Sequence, residues 1–234
     1  MDIKRKIKEV KKFLREQAPA CDQEILHYLE ELCQLCEELY AQASIDFLTG
    51  LYNRRFFEKE LELSVERAKR DRLIFSLILL DLDHFKKIND RYGHLAGDQV
   101  LKGVGSLIKK SIRKIDIPAR YGGEEFAIIL PGTGFEGALS VARRLKEKIS
   151  EADFDAQPQP IKVTASMGVG TYRPLNGLSP QEFFKQIDAL LYQAKQAGRN
   201  QIFPRQPQQV FGDELEGITY DEKQALKGVW LHDD

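Results

Sequence analysis

The chain has 234 residues, and its 35 lysines and arginines nearly balance 36 aspartates and glutamates, giving a formal net charge of −1. This balance provides no global positive field of the kind that drives nucleic-acid binding, and no apolar run approaches the roughly 20 residues of a transmembrane helix. The first residues lack the apolar core of a secretory signal. Three cysteines leave at least one unpaired, which fits a reducing compartment. We therefore expect a cytoplasmic protein with no nucleic-acid partner and no transmembrane segment.

A basic amphipathic helix is predicted at the start of the chain. The first 16 residues carry seven basic and three acidic side chains, and apolar residues recur at Ile3, Ile7, Val10 and Leu14. This spacing places them on one helical face. Such a helix can touch a membrane surface or an acidic partner, but packing against another helix is the more common use of an apolar stripe and is expected here.

A second helix is predicted from about residue 22 to 44, after Pro19, which breaks the first helix. Its apolar residues follow a heptad pattern, at Ile25, Tyr28, Leu32, Leu35 and Leu39. This seam is expected to pair with its copy in a second subunit or with the first helix. Residues 1–44 are thus predicted to be a dimerisation and signalling segment, built as a helical hairpin or coiled coil.

Two cysteines of the second helix, Cys33 and Cys36, form a CxxC pattern, with Cys21 and His27 nearby. A zinc site or a redox switch would use such a pair. The flanking turns and the second ligand pair of a zinc module are missing, and cysteines three residues apart on an apolar helix face usually pack in a core. Packing is therefore the favoured interpretation.

From Ile45 onward, helices alternate with strands. The predicted helices are a segment ending near residue 71 and residues 85–92, 98–113, 135–150 and 180–197, and the predicted strands are residues 73–83, 117–121, 126–130, 161–172 and 200–203. The direct hairpin in the middle excludes a purely parallel doubly wound sheet. We predict an α/β (α+β) domain over residues 45–204, with a central sheet that contains antiparallel strands and is flanked by helices. Residues 205–234, with three basic and seven acidic side chains, are predicted to be a partly ordered acidic tail.

Carboxylates follow two of the predicted strands. The apolar strand 73–83 ends in Asp81-Leu82-Asp83, and Gly122-Gly123 is followed at once by Glu124 and Glu125. A strand-end aspartate often caps a helix or forms a turn. If the two strands are neighbours, however, Asp81 and Glu124 converge on one hard cation, and Mg²⁺ suits oxygen ligands and bridges to phosphates. The glycines are expected to supply the positive φ of a tight turn.

The segment after Asp83 offers polar groups that suit a nucleotide. Asn89 carries an amide, and Asp98 is expected at the N-terminus of a helix, where it would also serve as an N-cap. A carboxylate can accept two N–H bonds from a guanine edge while an amide contacts another atom of the base. His94 is a weaker candidate, because a lone histidine is more often structural.

Five segments, in this order, resemble the GGDEF-domain diguanylate cyclase family: DFLTGLYNRRFF, LDLDHFKKINDRYGHLAGDQVL, RYGGEEFAIILP, SMGV and YQAKQAGRN. The resemblance covers about residues 45–203. It implies a palm-domain, ferredoxin-like nucleotidyl cyclase fold. It also implies that two GTP molecules are condensed into cyclic di-GMP with release of two pyrophosphates, in a reaction that depends on Mg²⁺ or Mn²⁺.

The resemblance also implies roles for individual residues. Asp81, the carbonyl of Leu82 and Glu124 match the metal ligands, and Glu124 and Glu125 match the acidic signature, with Glu124 near the attacking 3′-hydroxyl. Gly122 and Gly123 match the approach to the α-phosphate, and Asn89 and Asp98 match the guanine contacts. The remaining phosphate contacts are expected from Phe85, Lys86, Lys195 and Arg199. The third signature position holds Glu where many members have Asp, and both are carboxylates.

A regulatory site and a dimer are implied as well. Arg113 and Asp116 match the family's RxxD site for inhibition by the product, and Arg144 matches a secondary arginine. One chain shows one guanine-binding set, so a symmetric dinucleotide requires a homodimer that brings two GTP molecules together. Two other interpretations stay open. One is a non-enzymatic sensor of GTP or cyclic di-GMP that signals through the N-terminal helices, and the other is a structural module.

Overall fold

A computed structural model describes residues 3–17, 23–154 and 160–205. It begins with two helices, α1 (Ile3–Gln17) and α2 (Gln23–Gln42). The helices and strands that follow are β1 (Tyr52–Asn53), α3 (Arg54–Asp71), β2 (Phe75–Leu82), α4 (Phe85–Tyr92), α5 (His94–Ser111), β3 (Ile117–Arg120), β4 (Glu125–Pro131), α6 (Phe135–Glu151), β5 (Ala165–Tyr172), a 3₁₀ turn (Pro174–Asn176), α7 (Pro180–Gln196) and β6 (Ile202–Arg205). The predicted tail lies outside the described residues, except for Arg205.

The six strands form one sheet in the order β1-β3-β4-β2-β5-β6. The central strand β2 is antiparallel to both β4 and β5, whereas the edge strands β1 and β6 pair in parallel. The predicted sheet with antiparallel strands and flanking helices is confirmed. The two-residue strand β1 was not predicted, because its segment reads as a turn that leads directly into α3.

Both faces of the sheet are covered. Successive side chains of a strand point to opposite faces, so Ile78 and Leu80 enter a core shared with α5 and α6, while Leu77 and Leu79 enter a core shared with α3 and α7. Every residue of β2 is buried for this reason, which explains its nearly continuous apolar sequence. Asp81 continues the second series and therefore lies on the α7 side of the sheet.

Two boundaries differ from the sequence prediction in ways that matter for the site. Helix α5 begins at His94 rather than at Asp98, because Gly93, at φ +85°, ends α4 and starts α5 at once. Asp98 therefore lies one turn inside the helix, and its predicted role as an N-cap is wrong. Strand β5 begins at Ala165, since Ile161 forms only an isolated bridge with Phe154.

The N-terminal helices pack against each other, as predicted for the first helix. Ile7 and Leu14 of α1 and Cys33 of α2 form a small buried cluster, with Leu29 packed against it. The packing interpretation thus holds for Cys33 but is wrong for Cys36, which is exposed. Within the described part of the chain, no helix combines the length and the apolar character needed to cross a bilayer.

Candidate active site

The pairing of β2 with β4 brings the two predicted carboxylate segments together. Asp81 lies opposite Glu125 in the antiparallel register, and the next backbone bond runs from the N–H of Leu82 to the carbonyl oxygen of Glu124 at 3.2 Å. Asp81, Leu82 and Glu124 are therefore neighbours at one end of the sheet. The strand pairing that a shared cation requires is therefore present, and the cation itself stays a prediction.

The electrostatics of this strand end are unfavourable for two carboxylates alone. Burial raises the pKa of Asp81, which is only 5% exposed. Burial and then the charge of Asp81 raise the pKa of Glu124. The nearby Glu125 adds to both effects. Ionised carboxylates under these conditions gain from a cation.

Lys195 supplies one positive charge at this strand end. Its Nζ lies 2.7 Å from Oδ2 of Asp81 and lowers the pKa of that carboxyl against the effect of burial. Helix α7 can approach closely because β5 carries Gly168, where a Cβ would overlap the backbone of Ile187 and Leu191. The sequence prediction placed Lys195 on substrate phosphates, and in this structure it contacts the carboxylate of Asp81.

The donor set fits a divalent ion by its chemistry. Asp81 and Glu124 offer carboxylate oxygens, which Mg²⁺ prefers, and Leu82 joins them through its backbone. Residues 3–17, 23–154 and 160–205 contain no group of three or more His, Cys, Asp or Glu side chains arranged around a metal position. The remaining ligands of an ion here would therefore be backbone, water or substrate oxygens.

The Gly-Gly turn differs from its predicted geometry. Neither Gly122 nor Gly123 has a positive φ, and the expectation of a left-handed turn is wrong. A Cβ at Gly122 would meet the carboxylate of Glu125, which would have to shift, whereas Gly123 faces open space. The turn is held by Arg120, whose Nη2 donates to the carbonyl oxygen of Gly123 at 2.8 Å.

Arg120 also connects the turn to the segment that follows α2. Its Nη1 lies 3.3 Å from Oδ2 of Asp46. Asp46 in turn accepts hydrogen bonds from the backbone N–H and the hydroxyl of Thr49, at 2.8 and 2.6 Å. The segment between the N-terminal helices and the domain is thus tied to the turn that carries Glu124.

Helices α4 and α5 bring the side chain of Asn89 against Gly97, the residue before Asp98. The side chains of Asn89 and Asp98 are both half-buried. Gly97 makes the contact with Asn89 possible, because a Cβ at that position would overlap Oδ1 of Asn89. At the start of α4, Phe85 is buried and Lys86 is exposed. The four predicted substrate contacts on these helices therefore lie in the segment that directly follows β2 in the chain.

Asp83 has a different environment from Asp81. Its carboxylate is buried and accepts hydrogen bonds from Ser166 Oγ at 2.7 Å, from Thr164 Oγ1 at 2.7 Å and from the backbone N–H of Asn200 at 2.9 Å. Asn200 follows Arg199, the predicted phosphate contact, which is exposed. Asp83 therefore binds the turn after α7 rather than facing a cleft.

The predicted product site lies away from this strand end, beside a cavity of about 450 Å³. Arg113, Asp116 and Lys109 line it, together with Gly50 and Tyr52 from the segment after α2. Asp116 Oδ2 accepts the backbone N–H of Arg113 at 2.7 Å. Its other oxygen, Oδ1, is buried and has no hydrogen-bond partner among the described residues.

The charges around Asp116 are positive. Burial raises the pKa of Asp116, while the Arg113 N–H and the charges of Arg113 and Arg144 lower it. Arg144 reaches the same loop from α6 and donates a hydrogen bond to the carbonyl oxygen of Ser111. The structure thus brings the three predicted product-site residues together.

Three contributors to these sites were not predicted from the sequence: Asp83, Gly97 and the Asp46–Arg120 pair. Gly97, Asp83 and Asp46 lie within the segments that resemble the family, so their residue types were known from the sequence. Their contacts cross up to 117 positions of the chain, and periodicity carries no information at that range.

The fold described above is shared with solved GGDEF domains. The coiled coil and GGDEF domain of DgcB from Caulobacter crescentus, solved with c-di-GMP, aligns with a TM-score of 0.72 at 30% identity, covering 78% of this chain and 96% of that one. Diguanylate cyclase SiaD of Pseudomonas aeruginosa, solved with its activator SiaC, aligns with a TM-score of 0.71 at 30% identity, covering 86% of this chain and 74% of that one.

The family follows from the sequence comparison. The family model described as "Diguanylate cyclase, GGDEF domain" matches residues 43–201, and the chain belongs to this family. Diguanylate cyclase DgcP of Pseudomonas aeruginosa is 39% identical over 166 residues, which are 71% of this chain and 24% of DgcP. The uncharacterized protein YhcK of Bacillus subtilis is 44% identical over 163 residues, 69% of this chain and 45% of YhcK. The chain thus spans less than half the length of these relatives.

Proposed function

We propose that this chain is a diguanylate cyclase that condenses two GTP molecules into cyclic di-GMP and releases two pyrophosphates. The observation that carries the proposal is the antiparallel pairing of β2 with β4, which puts Asp81 and Glu124 at adjoining positions beside Lys195. Family membership supports the same reaction. A vestigial fold would have no need to keep a buried and a half-buried carboxylate at this point, because their desolvation is costly.

Each half of the reaction forms one bond and breaks one. The 3′-oxygen of one GTP attacks the α-phosphorus of the other, the new O3′–P bond forms, and the bond to the β-phosphate oxygen breaks as pyrophosphate leaves. Glu124 is the proposed acceptor of the 3′-hydroxyl proton, since its carboxylate adjoins Asp81 at the strand end where the reacting groups would meet. The same exchange with the roles of the two nucleotides reversed closes the ring.

A divalent ion held by Asp81, Glu124 and the Leu82 carbonyl would neutralise charge that develops on the phosphates. The chain's own residues do the positioning. Asn89 and Asp98 hold the guanine, the turn at Gly122 and Gly123 admits the α-phosphate, and Lys195 and Arg199 bind the outer phosphates. Positioning and charge stabilisation account for most of the catalysis in phosphoryl transfer.

The proposed active unit is a homodimer formed through the N-terminal helices. Among the described side chains, helix α1 packs on α2 at Leu29 and Cys33. The described heptad residues, Tyr28, Leu32, Leu35 and Leu39, are 51–60% exposed in the single chain. A second copy that covers this seam would raise the effective concentration of the partner domain. We assign residues 1–44 this role and residues 45–204 the catalytic role.

The proposed regulation is inhibition by the product at Arg113, Asp116 and Arg144. Arginine suits the phosphates and the O6/N7 edge of guanine. Oδ1 of Asp116, which has no partner among the residues that the structure describes, is an acceptor for a guanine N–H, and a buried acceptor of this kind gains from one. A ligand here would touch residues 50–52, next to the N-terminal helices.

Pyrophosphate release from GTP in Mg²⁺, measured against protein concentration, tests this proposal. We expect release per chain to rise with concentration, to stop with EDTA, to yield cyclic di-GMP by mass spectrometry, and to fall when that product is added. Leu35→Glu, on the exposed seam, is expected to lower release at low concentration, whereas the control Glu30→Gln is not. Nucleotide binding without release would identify a sensor, and no binding would identify a structural module; either result overturns the proposal.

A further inference from the structure

Asp83 is an acidic side chain to which the proposed reaction gives no role. It is 5% exposed, and its side-chain hydrogen bonds within the described residues go to two other segments, β5 with its preceding residue and the turn after α7. Its own N–H donates to the carbonyl oxygen of Thr164 at 2.8 Å. A buried carboxylate that accepts three hydrogen bonds is fixed in place, because each bond is charge-assisted.

The turn that Asp83 holds has an uncommon backbone. Gly198, Arg199 and Asn200 have φ values of +109°, +63° and +47°. Residues with a Cβ rarely adopt this left-handed region, and two in succession require outside support. The N–H of Asn200 gives that support, since it donates to Oδ2 of Asp83 at 2.9 Å.

This turn places Arg199, the proposed contact for the outer phosphates. The guanidinium of Arg199 has no ion pair within the part of the chain that the structure describes, and the side chain is exposed. Its position relative to Asp81 therefore depends on its backbone. Lys195, by contrast, reaches Asp81 directly at 2.7 Å.

We propose that Asp83 is a positioning residue that fixes Arg199 relative to Asp81. The two aspartates lie two residues apart at the end of β2, so one strand end would hold both the proposed metal ligand and the anchor of a phosphate contact. This inference rests on the proposed function, because it takes Arg199 as a group that binds the outer phosphates. If it holds, Asp83 is one reason why the protein binds a guanosine triphosphate more tightly than the monophosphate.

The test compares two nucleotides that cannot be cyclised, 3′-deoxy-GTP and 3′-deoxy-GMP, by calorimetry in Mg²⁺. Only the triphosphate has the phosphates that Arg199 would contact. Asp83→Ala is expected to weaken 3′-deoxy-GTP binding about tenfold, through loss of oriented charge, and to leave 3′-deoxy-GMP binding within about twofold. Arg199→Ala should behave in the same way, and the double variant should bind no more weakly than Arg199→Ala alone.

The matched control is Ser166→Ala, which removes a hydrogen bond to the other oxygen of the same carboxylate. It is expected to keep the preference for the triphosphate, since Oδ2 and the Asn200 N–H are untouched. If Asp83→Ala does not fold, Asp83→Asn replaces it in the same double-variant comparison.

A purely structural Asp83 would weaken both nucleotides equally and add to the effect of Arg199→Ala, and this result overturns the proposal. Failure of the proposed function gives a different result. In that case the unmodified protein binds neither nucleotide, binds both alike, or binds 3′-deoxy-GTP without releasing pyrophosphate from GTP.

Discussion

Two buried aspartates of this molecule, Asp81 and Asp116, have similar exposure and opposite surroundings. Both are no more than 6% exposed, and burial raises the pKa of both. Asp81 lies among carboxylates and has one lysine partner, whereas Asp116 lies beside Arg113 and Arg144 and keeps one oxygen unpartnered among the described residues. Excess negative charge suits a cation, and positive charge with a free acceptor suits an anionic ligand that carries N–H groups.

Burial of a carboxylate does not by itself determine which ligand the site binds. The neighbouring charges decide what the site can bind, because they determine which form of the carboxyl is stable and which ligand relieves its unmet interactions. In this fold, β2 and β4 produce the first environment, and the loop between α5 and β3 with α6 produces the second. Substitutions in one environment are therefore expected to leave the function of the other unchanged.

The largest effect is expected from Glu124→Gln, which removes a carboxylate and leaves the shape. Pyrophosphate release from GTP should fall by about a thousandfold or more, because both the proposed base and a metal ligand are lost. Binding of cyclic di-GMP to the Arg113 cavity should stay within about twofold, measured by calorimetry. The control Glu66→Gln, an exposed glutamate on α3, should keep full activity. Equal turnover in Glu124→Gln and the unmodified protein would contradict the assignment of the first site.

The next effect is expected from Arg113→Ala. The inhibition constant of cyclic di-GMP should rise at least about tenfold, since a charge-assisted contact with the ligand is lost. The rise in melting temperature on addition of Mg²⁺ should persist, because the strand-end site is intact. Arg143→Ala, an exposed neighbour of Arg144 on α6, is the control. Unchanged inhibition in Arg113→Ala would show that the product binds elsewhere.

A smaller effect is expected from Gly97→Ala, which tests the substrate side of the first site. The added methyl group would overlap Oδ1 of Asn89, so the amide must move and the KM for GTP should rise roughly fivefold to tenfold. The control Gly134→Ala adds a methyl group where the nearest atom is 3.6 Å away. Inhibition by cyclic di-GMP should be the same in both variants, and a KM unchanged by Gly97→Ala would remove Asn89 from the guanine site.

The smallest effect concerns stability without metal. The pKa of Glu124 is raised in the folded state, so at intermediate pH the folded protein binds this proton more readily than the unfolded chain. The free energy of unfolding that the proton contributes is therefore lost as the pH rises. In EDTA at pH 7.5, Glu124→Gln should melt a few degrees above the unmodified protein. The difference should shrink as the pH falls toward the ordinary glutamate pKa. A difference that grows on acidification would contradict the direction of the shift.

Much of this architecture was readable in the sequence, and the exceptions have physical causes. The apolar run of β2 and the hairpin around Gly122 predicted the central sheet, because strand signals are local. The start of α5 was missed since Gly93 ends one helix and begins the next, which leaves no polar cap between them. The two carboxylate segments of Asp81 and Glu124 were identified from the sequence, but the ion pair between Asp81 and Lys195 required the packing of α7.

The contacts of Asp83 and Gly97 could not be predicted for a related reason. In the sequence, Asp83 is only the second carboxylate at the end of an apolar strand, and only the fold shows that Thr164, Ser166 and Asn200 surround it. Gly97 reads as a helix-start residue, and only the crossing of α4 and α5 shows the contact with Asn89.

Whether Asp81 and Glu124 share a cation is tested most directly by Mn²⁺ binding, measured by electron paramagnetic resonance in the presence of 3′-deoxy-GTP. We predict one Mn²⁺ per chain for the unmodified protein and for Arg113→Ala, and an affinity at least about tenfold weaker for both Asp81→Asn and Glu124→Gln. If both strand-end variants bind Mn²⁺ as tightly as the unmodified protein, Asp81 and Glu124 do not share a cation, and the account of this site is wrong.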